Sequence, residues 1–466
     1  MNNPVALEKI LFGKTHIVTY GIGAFLMSIL LIPVYSYFSA LILLILITGI
    51  NSLIVLSLVK NHHGLIPCSR YLFLIAPGYL QLFVYVVTAG QISVAILANN
   101  FITEDIITFV ALISTVGAAS ANMGFILKPL SFTLSFPRKN ISKGLTPLFL
   151  IFFILFALYY GNSLGKSLLD IKQYATNTEA TKTVVGVINV FYFYFLALFF
   201  VYRFWLYDKF SFGDYKIYMV IILVIVGFVA LRGVRQDSIG LVLAVFAISY
   251  ARRFIRKDKS MYLFVLVLFF ISWVGSTFTG ALREDATASS LTGLFTKLPF
   301  IMFSKGYIIF NMNTASMTIG TLNVIPYKLI DTGYLYGESF LNWIPRTLPE
   351  FLLSNRPEGP EFAMHYNDIW FGWGGIHEVA EVFWNFSYLG VLFLPLIFSY
   401  LLNSLGKSFL RSGSFFMAIP VVWLIMMPRW IWYQIFALYK STLTMFIIAL
   451  LLFVLFDVKK KQLSAF

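Results

Sequence analysis

Twelve apolar runs, each close to the length of a membrane-crossing helix, constrain this chain more than any other feature. They fall at roughly residues 17–36, 38–59, 71–98, 105–127, 145–161, 184–205, 217–231, 237–251, 261–282, 381–402, 414–428 and 435–457. A helix needs about 20 apolar residues to cross the hydrocarbon layer. The runs are continuous rather than alternating, which argues against the strands of a β-barrel. Charged residues make up only 12% of the 466 positions and hydrophobic ones 59%. A soluble domain carries about 25% charged residues, so neither a soluble enzyme nor a disordered chain fits. The expected fold class is all-α: a polytopic membrane protein with about 12 transmembrane helices. The first two runs are separated only by Pro33 to Phe38 and predict a tight hairpin. The runs at 217–231 and 237–251 are short and joined by RGVRQD.

Charge sets the expected orientation. With the N-terminus inside, the inner loops hold 21 of the 34 Lys and Arg residues, among them Arg70, Arg138, Lys139, Arg252, Arg253 and Lys459–Lys461. Their inner acidic companions are only Glu8, Asp208, Asp214, Asp258 and Asp457. This satisfies the positive-inside rule with both termini cytoplasmic. The net charge of +14 is then mostly topology, and nucleic acid is not an expected partner. The chain divides by this reading into helices 1–9 over residues 1–282, a large outer loop over 283–380, and helices 10–12 with a cytoplasmic tail over 381–466. A loop of that length without spans is usually functional. Its apolar stretch at 294–310 is too polar to span and is expected to lie on the membrane surface. The single cysteine, Cys68, precludes an internal disulfide and a cysteine-based metal cluster.

Charges near the bilayer are costly, so those outside the positive-inside pattern need a reason. Arg232 and Arg235, with Asp237, stand at the outer end of the seventh run. Arginines three apart share a helical face, and each guanidinium is a planar fork for phosphate. A diphosphate site fits this pattern; so does a pair that snorkels to head groups or bridges to Asp237. The end of the long loop carries Arg346, Arg356, His377, Glu378 and Glu381. An imidazole or carboxylate there could accept a proton from a sugar hydroxyl. A histidine that anchors a helix, and a carboxylate favoured by the helix dipole, are the structural alternatives. Gly372, Gly374 and Gly375 would let the backbone approach a ligand. Trp370, Trp373 and Trp384 could stack on sugar rings or form an interfacial belt. Arg283 with Glu284 and Asp285 is either a salt bridge or a ligand contact, and Arg429 has no acidic neighbour in sequence. The chain has no DxD triplet and no GxxxxGK[ST] loop, which leaves metal-bridged sugar-nucleotide transfer and ATP hydrolysis unsupported.

The outer Arg-x-x-Arg of 232–235, the large loop before the last three spans, and the closing element Glu381, Asn385, Phe386 and Gly390 in EVFWNFSYLG together resemble the Wzy-type polymerases. These are O-antigen or oligosaccharide repeat-unit polymerases, similar in architecture to O-antigen ligases. The resemblance implies a GT-C-like membrane glycosyltransferase of polysaccharide biosynthesis, acting without metal or cofactor on the periplasmic face of the bacterial inner membrane. The implied substrate is an oligosaccharide linked to undecaprenyl diphosphate. Arg232, Arg235, Arg346, Arg356, Arg283 and Arg429 are the candidates for the diphosphates. His377 is the first candidate for the base and Glu381 the second. Glu378, Trp373 and Glu338 are weaker candidates for sugar contacts. Membrane lipid, a chain-length regulator and a flippase are the partners the resemblance implies. A glycan ligase and a lipid-linked oligosaccharide flippase are the rival functions. A membrane acyltransferase is a third, but the inner face offers no histidine constellation beyond His62 and His63.

Overall fold

The structure is a computed structural model. It describes residues 14–34, 38–60, 66–75, 104–130, 333–347, 376–411, 414–432 and 435–463, with isolated positions at 194, 197, 198, 242 and 267. Among these residues the chain is helical and forms no strand. Three helices are long and apolar enough to cross a membrane, over Thr108–Ile126, Glu378–Phe409 and Phe436–Val454. Shorter apolar helices lie at Ile17–Leu30, Ile42–Leu58, Ile66–Ile75 and Phe415–Ile431. The runs at 145–161, 184–205, 217–231, 237–251 and 261–282 lie outside the described residues, apart from those isolated positions.

The helices in chain order are α1 (Lys14–Leu30), α2 (Phe38–Lys60), α3 (Ile66–Ile75), α4 (Glu104–Ile126), α5 (Glu338–Leu341), α6 (Trp343–Thr347), α7 (Glu378–Arg411), α8 (Ala418–Trp432) and α9 (Phe436–Leu463). The chain forms two compact units. One comprises Met1–Phe132, Thr314–Lys407 and Met427–Lys440; the other comprises Thr133–Asn313, Ser408–Met426 and Ser441–Phe466.

In the first unit α1, α2 and α4 pack on one another. Several of their polar side chains bond to their own helix, as an apolar solvent favours, whereas Ser114 Oγ on α4 is buried without a hydrogen-bond partner. Thr48 Oγ1 donates to Leu44 O at 2.9 Å, Asn51 Nδ2 to Ile47 O at 3.0 Å, and Thr115 Oγ1 to Ala111 O at 2.7 Å. One amide pair crosses between helices: Asn122 Nδ2 donates to Asn51 Oδ1 at 3.0 Å. The small-residue face of α4 lets α7 come close. A Cβ on Gly124 would stand 2.3 Å from Leu396 O, and one on Gly117 would stand 2.9 Å from Val379 and 3.6 Å from Val391. Ser120 Oγ donates to Leu392 O, and Asn403 Nδ2 to Phe125 O at 3.0 Å. Contacts that advance together along both chains mean that α4 and this part of α7 run parallel.

α7 is not one rod. Phe386 (φ −138°, ψ 19°) and Ser387 (φ 56°, ψ −150°) leave the helical region. The two limbs, 378–385 and 388–411, fold back on each other at this break. Val379 and Val391 reach the same point on Gly117, and a Cβ on Gly390 would lie 2.2 Å from Val382 O. Phe383 and Tyr388 meet edge to face across the turn with centroids 5.1 Å apart. The element is therefore a helical hairpin with one short and one long limb. The sequence predicts a single span from 381 to 402 here.

The second unit holds an aromatic cluster around Phe416. Phe409 stacks on it at 6.3 Å, Phe446 lies 5.3 Å away, and Trp423 Nε1 donates to Thr442 Oγ1 at 2.8 Å.

Candidate functional site

The turn of the α7 hairpin is covered by residues 333–347, one described part of the long loop. The join is built from backbone bonds. Leu335 N–H donates to Trp384 O at 3.0 Å and Tyr336 N–H to Asn385 O at 3.1 Å. Gly337, at φ 93°, turns its N–H onto Asn385 Oδ1 at 3.0 Å. The same amide donates through Nδ2 to Ser339 Oγ and to Glu381 O, both at 2.8 Å. Ser339 Oγ in turn donates to Glu381 Oε1 at 2.9 Å. Trp384 Nε1 donates to Gly333 O at 3.2 Å, and Tyr334 OH to Ser387 Oγ at 3.1 Å. Phe386 stacks on Phe340 with ring planes 5° apart.

Each residue of the closing element has a physical task in this join. Glu381 and Asn385 hold the loop by hydrogen bonds and Phe386 holds it by stacking. Gly390 removes the side chain that would push the two limbs apart. Ser339 is a member of this network that no spacing rule singles out, because its partners are 42 and 46 residues away.

His377 and Glu378 sit at the opposite, open end of the hairpin. His377 is fully buried. Its Nδ1 accepts the Val379 N–H at 3.1 Å and its Nε2 lies 3.4 Å from Phe73 O. Nδ1 as acceptor assigns the proton to Nε2, which then faces that carbonyl. His377 thus caps the first limb, meeting one of the N–H groups that every helix start leaves unpaired. Burial pushes the His377 pKa down to about 3, against the Phe73 carbonyl and with the help of the Arg70 charge. The neutral imidazole has both nitrogens engaged within the chain.

Glu378 meets Arg70 of α3 in a two-pronged ion pair, Nη1 to Oε2 at 2.7 Å and Nη2 to Oε1 at 2.5 Å. Both side chains are shut off from solvent, at 0% and 1% exposure. Arg70 Nε donates to Ser399 Oγ at 2.8 Å, and its guanidinium lies 5.1 Å from the ring centre of Trp430. This corrects one sequence expectation. Arg70 is not an inner-loop cation, because α3 starts at Ile66 and carries it into the packed interior. Glu378 is matched there by a fixed guanidinium.

The remaining candidates are dispersed. Arg346, at the end of α6, is 9% exposed and lies over the Phe436 ring at 4.9 Å. Glu338 starts α5 and is exposed, and Arg429 is exposed on α8. Lys440 lies 5.9 Å from the Phe436 ring centre. Arg232, Arg235, Arg283, Arg356 and Trp373 fall outside the described residues. Among the described residues, no three of His, Cys, Asp and Glu gather as a metal site would require. No family model matches the chain, and no curated protein or solved structure is significantly similar to it.

Proposed function

We propose that the chain is a polysaccharide polymerase of the Wzy type, a membrane glycosyltransferase with twelve spans in a GT-C-like arrangement. Its home is the bacterial inner membrane, with both termini cytoplasmic and the active site periplasmic. The supporting observation is the join between Glu381, Asn385 and Phe386 and the loop segment that bears Ser339 and Arg346. The element that carries the resemblance is also the element that fastens the long loop to the helices. The parallel course of α4 and the long limb of α7 agrees with two even-numbered spans that both run inward.

In the proposed step the anomeric carbon of the growing glycan leaves undecaprenyl diphosphate. It bonds to a hydroxyl on the terminal sugar of an incoming lipid-linked repeat unit. The C–O bond to the diphosphate breaks, and undecaprenyl diphosphate carries away the negative charge. Guanidinium groups can stabilise that charge at a low-dielectric surface. Arg346 and Arg429 are the described candidates, and Arg232, Arg235, Arg283 and Arg356 are the others. The hydroxyl proton passes to a base. Because both nitrogens of His377 are engaged, Glu381 takes that role in our reading, with Ser339 orienting one of its oxygens.

A lipid-linked oligosaccharide flippase is the second reading. The broken helix and the buried Arg70–Glu378 pair favour it, since discontinuous helices and interior charges serve substrate pathways in transporters. In cells that depend on this chain for surface polysaccharide, Glu381→Gln and Arg346→Ala should reduce the product to single repeat units while the protein remains in the membrane. Normal chain lengths in both variants would refute the assignment.

A further inference from the structure

The α7 hairpin is fastened at both ends. At the turn, Asn385 and Glu381 bind the 333–347 segment. At the open end one guanidinium reaches both limbs, taking Glu378 of the short limb through Nη1 and Nη2 and Ser399 of the long limb through Nε. The short limb between these fastenings is only two turns long. At ~1.5 Å per residue its ends are about 10 Å apart. Val379, Val382 and Phe383 on it are buried, so it is packed as a stiff strut. Between the two fastenings Ser387 occupies φ 56°, ψ −150°, a region that a residue with a Cβ leaves unless its surroundings hold it.

We propose that Arg70 and Glu378 are a positioning pair for the loop. By fixing the foot of the short limb against α3 and the long limb, they set where Glu381 and Asn385 stand, and so hold segment 333–347 in place. A pair that only filled the interior would need neither the two-pronged geometry nor the third bond to the opposite limb. Lysine at position 70 could supply the charge but not the fork. The inference holds whatever reaction the chain performs, and its test requires no substrate.

Hydrogen exchange on the full-length protein in lipid nanodiscs tests it. The reporters are the amides of Leu335, Tyr336 and Gly337, which donate to Trp384 O, Asn385 O and Asn385 Oδ1. The α4 amides are the control. In Glu378→Gln the three loop amides should exchange at least tenfold faster while α4 is unchanged. Arg70→Met with Glu378→Met removes the pair without orphaning a charge and should show the same selective loss if the single variant fails to fold. Arg70→Lys should fall between wild type and these variants. Unchanged protection at 335–337 would overturn the proposal. Equal loss in α4 and the loop would also overturn it, by reducing the pair to a general stability element.

Discussion

The Asn385 carboxamide accepts the Gly337 N–H through Oδ1 at 3.0 Å and donates a hydrogen bond through Nδ2 to Ser339 Oγ at 2.8 Å. It thus closes the loop onto the hairpin turn from both sides. Asn385→Ala leaves the Gly337 N–H and Glu381 O without these bonds. A buried polar group left unsatisfied costs about 1–3 kcal/mol. We expect a lower melting temperature and faster exchange at 335–337. Asn385→Asp should also destabilise, because it removes both Nδ2 donations and sets a carboxylate near Glu381. Wild-type melting in both variants would contradict the join.

Close backbone approach makes glycine mandatory at some positions and dispensable at others. A Cβ on Gly390 or Gly124 would collide with a main-chain oxygen, at 2.2 Å from Val382 O and 2.3 Å from Leu396 O. Gly390→Ala and Gly124→Ala should each cost about 1–3 kcal/mol, the range for overpacking. Gly23, with nothing within 4 Å of its would-be Cβ, is the control. Gly23→Ala should be neutral or stabilise by up to about 1 kcal/mol through helix propensity. Thermal unfolding in one detergent orders the three.

Ser387 pays a conformational cost that glycine would not. Its φ of 56° with ψ of −150° belongs to a region populated almost only by glycine, at about 1–3 kcal/mol for other residues. Ser387→Gly should raise the melting temperature even though it loses the bond from Tyr334. A fall would show that the hydroxyl contact outweighs the strain.

His377 gives the fold a pH dependence of definite sign. Its pKa is about 3 in the folded chain and about 6.5 when unfolded. As pH falls below the unfolded value, the unfolded chain takes up the proton first. The stability due to the neutral imidazole is therefore full above about pH 6.5 and is lost as pH falls toward 3. His377→Asn keeps a capping side chain and removes the titration. Its melting temperature should decline less steeply over that interval than that of wild type. Identical slopes would contradict the buried neutral state.

The membrane character of the chain was legible because it is a local property, read from runs of apolar residues. The α7 hairpin was not. Its apolar pattern continues across Phe386 and Ser387, and a serine in a glycine-type conformation leaves no mark in sequence. Arg70 looked like a positive-inside residue because nothing near it in sequence is acidic; its partner lies 308 positions away. The closing element was visible as a pattern, and its residues turn out to share a purpose in packing. His377 and Glu381 are four apart in sequence, which puts them on one helical face if the helix starts that early. The structure has Glu381 N–H bonded to His377 O at 2.9 Å as the first helical bond. That spacing could not show that the imidazole would be closed off by Phe73 and Val379.

The most direct test of polymerase function is a turnover assay with purified protein in liposomes. It would use undecaprenyl-diphosphate-linked repeat unit as the sole substrate and include a chelator. A ladder of products differing by one repeat unit is expected, and Arg235→Ala should abolish it while still inserting. Movement of the repeat unit across the bilayer without any new glycosidic bond would contradict the assignment in favour of a flippase. Product formed only after lipid-A core is added would contradict it in favour of a ligase.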